Sequence, residues 1–131
     1  MVRRATVDTT QAQSFEATEP GPYQMVVDEI EDPAVSQKSG STGMWVYFKF
    51  ADPTVQRRAG RVRKWYALNG EGSGFFREFW KAATGEDIPM GSDAFDVDLD
   101  DAQGRSVIVL VGNETYEGRL QNTVERVSAA S

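Results

Sequence analysis

The sequence contains no cysteine and no histidine. Without cysteine there are no disulfides, thiolate metal sites or thiol nucleophiles, which fits a reducing compartment. Without histidine the Ser-His-Asp arrangement, most zinc sites and the commonest general base near neutral pH are gone as well. Long apolar runs are also missing. The longest, Val107 to Val111, has five residues, against roughly 20 needed to span a bilayer, so no membrane partner is expected. Arg3 and Arg4 precede no apolar stretch of the secretory kind, and export is not expected. There is no internal repeat, and the one biased tract is the Ser/Gly-rich stretch from Ser36 to Gly43, which reads as a mobile loop. Taken together, these gaps favour a binding protein without catalysis or cofactor over an enzyme.

What remains is the composition of a folded domain. The chain has 131 residues, 40% of them apolar, with seven Phe, four Tyr and three Trp, enough for one continuous core. Net charge is -6, which at first argues against a polyanionic ligand. The distribution changes that reading. Between Met44 and Gly70 six cations (Lys49, Arg57, Arg58, Arg61, Arg63 and Lys64) face Asp52 alone, a local charge of +5 that leaves -11 for the remainder. A basic segment in an acidic chain is the footprint to look for in a nucleic-acid binder, and a solvated basic hairpin would look the same.

Along the chain, Pro20 to Pro22 supplies turn chemistry and a β-rich run from Tyr23 to Ile30 follows as the first strand. MWVYFKFAD, dense in aromatics and closed by Asp52-Pro53, is the second. Arg61 to Leu68, closed by Asn69-Gly70, is the third and forms a hairpin with the second. In GSGFFREFWKAATG the period changes: Phe75, Phe76, Phe79, Trp80 and Ala83 recur at helical spacing and Gly85 supplies a stop. An acidic connector, DAFDVDLDDAQG, leads to RSVIVLVGN and RLQNTVERV, the last two strands, joined by the turn ETYEG. The order β, β, β, α, β, β predicts an all-β fold with one α-helix. It is that of a five-stranded OB-type Greek-key barrel with its helix between strands three and four, over residues 20–128. Residues 1–19 read as an N-terminal arm that need not be ordered.

Several of these segments are shared with a known family. The turn Pro20 to Tyr23, the Ser/Lys/Gly loop and aromatic strand from Ser36 to Phe50, and the segment Gly60 to Asn69 come first. The aromatic helix ending in Thr84-Gly85, the connector before Gly104-Arg105 and the hairpin Tyr116 to Arg119 follow. In this order they resemble the short OB-fold single-stranded-DNA-binding proteins encoded by phages and prophages. The resemblance implies single-stranded DNA as partner in phage-type replication, recombination or repair, and a location in the cytoplasm, the host's if the chain is phage-encoded. It leaves replication or recombination proteins and further copies of the chain open as partners. Many such proteins end in an acidic, partner-recruiting tail; this chain ends VERVSAAS, so recruitment by that route is not expected.

Alternation assigns the candidate site. Val46, Phe48 and Phe50 share one face of the second strand, and Trp45, Tyr47 and Lys49 the other. On the third strand Val62, Tyr66 and Leu68 oppose Arg61, Arg63 and Trp65, with Lys64 misplaced on the apolar side. If the aliphatic set fills the barrel, Trp45, Tyr47 and Trp65 stack on bases while Lys49, Arg57, Arg58, Arg61 and Arg63 track the backbone. Lys38 and Tyr116 lie in the two flanking loops. For Trp65 a core position is an equal reading, because a one-residue slip swaps the faces; Arg57 and Arg58 also read as a solvated turn. Asp96, Asp98 and Asp100 have the one-three-five spacing of a calcium loop, but position six is Asp101 and position twelve Val107, so no metal is expected. A protein-interaction or oligosaccharide-binding barrel is the alternative function, and a metal-dependent nuclease built on these Asp residues ranks below it.

Overall fold

Side chains alternate between buried and open from Gly21 onward and set the first strand, β1 (Gly21–Ile30), whose Met25 and Val27 are fully buried. The computed structural model describes residues 2–7, 16–38, 40–91 and 95–130. After β1 come β2 (Ala34–Val35), β3 (Thr42–Phe50), α1 (Pro53–Ala59), β4 (Val62–Ala67), α2 (Ser73–Thr84), β5 (Ser106–Tyr116) and β6 (Arg119–Ala129). A 3-10 turn at Leu99–Asp101 precedes β5. The strands form one antiparallel sheet of six, ordered β2-β3-β1-β5-β6, with β4 on the other side of β3.

The sheet curls into a barrel-like shell because its end strands, β4 and β6, come alongside one another while α2 packs across β4, β5 and β6. Among the described residues no hydrogen-bonded ladder joins β4 to β6. The seam is closed by side chains instead. Phe76, Phe79 and Trp80 of α2 are buried against Tyr66 and Phe48; Tyr66 and Phe79 stack at 5.0 Å, and Phe48 meets Phe79 edge-on at 5.8 Å. Burial of this order, around 1.5 to 3 kcal/mol per large apolar side chain, is what holds a helix on an incomplete sheet.

The five main strands follow the predicted order, and two elements correct the expected count of five strands and one helix. Arg57 and Arg58, read as a turn, lie in the last turn of α1. Asp52 caps that helix by accepting from Thr54 N at 2.9 Å, and Pro53 fits the first turn, where no N-H is needed. The two-residue β2 pairs with Thr42 and Gly43 of β3, extending the β1 side of the ladder past the loop. The connector is a 3-10 turn in part, Asp98 accepting from Asp100 N at 3.1 Å; Asp93 and Ala94 lie outside the described residues.

Residues 16–19, assigned by sequence to the arm, are tied to the sheet. Thr18 is buried; it donates through its N-H to Asn122 Oδ1 at 2.9 Å and accepts from Arg58 Nη2 at 3.1 Å, and Glu16 N donates to the Arg58 carbonyl. Most of the remaining arm, residues 8–15, lies outside the described residues.

Candidate nucleic-acid interface

Phase is set on β3 by its inner face: Met44, Val46, Phe48 and Phe50 are all buried. Strict alternation then turns Trp45, Tyr47 and Lys49 outward, where the two rings are half-buried and Lys49 is exposed. β4 presents Arg63 and Trp65 beside them, because Trp45 is the register partner of Trp65, and Tyr47 of Arg63. Trp65 is therefore a half-buried residue of the outer face, not a core residue.

On this face the groups lock together. Trp45 meets Trp65 edge-on at 5.7 Å, Arg63 lies 4.1 Å above the Trp45 ring, and Arg61 lies 4.4 Å above that of Tyr47. Guanidinium groups hold this position because the ring face carries the negative end of its quadrupole. Trp65 reaches across Gly43, where a Cβ would stand 2.9 Å from two of its ring carbons and closer still to the Tyr66 carbonyl, so glycine is required there.

The first strand adds carboxylates that the sequence reading left out. A bulge between Val27 and Glu29 turns both Asp28 and Glu29 to the outer face, next to the Tyr47 level. Arg61 Nη1 donates to Asp28 Oδ2 at 3.0 Å and to Glu29 Oε1 at 3.1 Å, and Lys49 Nζ stands 3.5 Å from Asp28 Oδ1. Tyr47 donates to Glu31 Oε1 at 2.7 Å. Donating to Glu29, and next to Asp28, raises the Arg61 pKa above its ordinary value. Three cations, Lys49, Arg61 and Arg63, thus share the face with three carboxylates, Asp28, Glu29 and Glu31. The visible signal was the acidic string DEIED; the bulge that aims it was not visible.

The other predicted residues lie apart from this cluster. Arg57 and Arg58 sit on α1, at the Phe50 end of β3, with Arg58 turned to Thr18. Lys38 is exposed in the loop after β2, and Tyr116 is exposed at the tip of the β5–β6 hairpin, whose turn has Glu117 at φ 51° and Gly118 at 77°. Register puts these two loops at opposite ends of β1, since β5 leaves the ladder at Gly21 and β2 follows Ile30. Lys64 keeps its place on the same side as Tyr66: its Nζ passes 5.6 Å from the Tyr66 ring and 5.2 Å from Phe75, and its charge is felt by Glu78 of α2. Among the described residues no set of carboxylates is gathered as a metal site.

Compared with known proteins, the chain matches no protein-family model, and no curated protein matches it.

Proposed function

We propose that the protein binds single-stranded DNA on the outer face of β3 and β4, using a five-stranded OB-type Greek-key barrel to which β2 is a short addition. The observation carrying this reading is the joint placement of Trp45, Tyr47, Trp65 and Arg63 on one outward surface. Each ring is a π-surface on which any base can stack in exchange for the guanidinium or indole edge it meets in the free protein, worth about 1 to 3 kcal/mol per stacked base, so binding is independent of sequence. Arg63 supplies the phosphate contact, and the loops carrying Lys38 and Tyr116 flank the path. No step requires a bond to be made or broken. The role this supports is coating or sequestering single strands during phage-type replication, recombination or repair, in the cytoplasm.

The test is a titration of the intrinsic tryptophan fluorescence with oligo-dT at several salt concentrations, since Trp45 and Trp65 lie on the binding face. Quenching that saturates and weakens with salt supports the proposal; no binding at low salt rejects it. The balance of three cations and three carboxylates favours one second reading, an oligosaccharide or protein ligand on the same rings. Such a ligand would bind with little dependence on salt.

A further inference from the structure

The charge balance of the outer face is built from specific contacts. One guanidinium nitrogen, Arg61 Nη1, is bracketed by Asp28 Oδ2 at 3.0 Å and Glu29 Oε1 at 3.1 Å, and Lys49 stands over the second oxygen of Asp28. Two anionic oxygens from different side chains converge on one nitrogen because the bulge places consecutive residues on one face. A phosphodiester likewise presents two nonbridging oxygens, sharing one negative charge, that accept from a guanidinium. We propose that Asp28 and Glu29 occupy the phosphate position of the proposed DNA site in the free protein, and that a DNA phosphate must displace them from Arg61 and Lys49.

This inference rests on the single-stranded-DNA reading and adds to it a pair of affinity-setting residues. Energetically the exchange is feasible: Arg61 and Lys49 are well exposed, and ion pairs in such positions are worth only about 0 to 1 kcal/mol. Its consequence lies in the ions. A phosphate that replaces a carboxylate on an already neutralised cation adds one anion and liberates another, so the number of cations newly neutralised by DNA is small. The wild-type protein then has a shallower salt dependence than its six-cation segment suggests.

The experiment compares oligo-dT affinity from low to moderate salt for the wild type, Asp28→Asn/Glu29→Gln and Arg61→Ala, and for Arg61→Ala added to the double variant. Asp87→Asn, which removes the ion pair of a different arginine, Arg77 of α2, controls for long-range charge. With Arg61 and Lys49 released, the double variant should bind about tenfold more tightly at low salt, and its log-log salt slope should steepen by about 1.4, or about 0.7 per added phosphate contact. Arg61→Ala in that background should remove at least half of the slope change. The inference is overturned if the double variant binds no better than wild type, if its gain persists undiminished without Arg61, or if Asp87→Asn reproduces it. If the wild type binds no DNA at any salt, the functional reading itself falls. The single variants Asp28→Asn and Glu29→Gln, each checked for a native circular-dichroism spectrum, give the same sign at smaller size.

Discussion

At the scale of single residues, position parity decides what a substitution does. Trp45 and Phe48 are both large aromatics on β3, yet Phe48 is fully buried against Phe79 while Trp45 is half-buried, with an edge contact to Trp65 and a guanidinium above it. Trp45→Ala should therefore lower oligo-dT affinity by about 1 to 3 kcal/mol and cost less stability than Phe48→Ala, because its ring is only half-buried. Phe48→Ala should cost about 3 to 5 kcal/mol of stability. Urea melts beside fluorescence titrations separate the two, and a Trp45→Ala protein that unfolds as readily as Phe48→Ala would place that ring in the core. Gly43 is a third case, tolerating no Cβ between the Tyr66 carbonyl and the Trp65 indole. Gly43→Ala should shift Trp65 and weaken the β3–β4 pairing, seen as a lower melting temperature together with a changed tryptophan emission maximum.

At the scale of elements, α2 is held to β6 by a pair that responds to pH. Arg126 Nε donates to Glu78 Oε1 at 2.8 Å, and this bond, ahead of the coulombic attraction of Arg126, lowers the Glu78 pKa against an opposing desolvation effect. With the native value depressed, the carboxylate stays charged where the unfolded chain has begun to take up a proton. Its contribution is complete above the ordinary glutamate value of about 4.3 and is lost as pH falls through the lower native value. The gap in melting temperature between wild type and Glu78→Gln, open near neutral pH, should close on acidification; a gap that persists in acid would assign the effect to packing. Elements also show what sequence reading can and cannot reach. Alternation from Trp45 to Phe50 and the helical period through Phe76, Phe79, Trp80 and Ala83 gave the right faces, because each pattern repeats within one element; Phe75, grouped with that apolar set by spacing, is exposed instead. The Asp28 bulge, the cap that makes α1 a helix and the docking of Thr18 on Asn122 depend on partners at a distance or on one local hydrogen bond, and periodicity carries neither.

For the whole molecule the question is whether an incompletely laddered shell behaves as one unit. The buried set runs without a break from Met25 and Val27 through Phe48, Tyr66 and Phe79 to Val109 and Val127, so β1, β3, β4, α2, β5 and β6 share a single core. The seam between β4 and β6 depends on α2, and removing that helix would expose Phe48 and Tyr66 at once. Independent loss of α2 is thus unfavourable, and unfolding should be cooperative. The three tryptophans report on this from different depths, Trp80 being buried under α2 while Trp45 and Trp65 lie on the outer face. In Trp45→Phe/Trp65→Phe the remaining fluorescence comes from Trp80 alone. Its denaturation curve should coincide with the far-ultraviolet circular dichroism of the same protein, giving one midpoint and one slope. An earlier fluorescence transition would mean that α2 leaves before the strands part, and that the seam opens as a separate step.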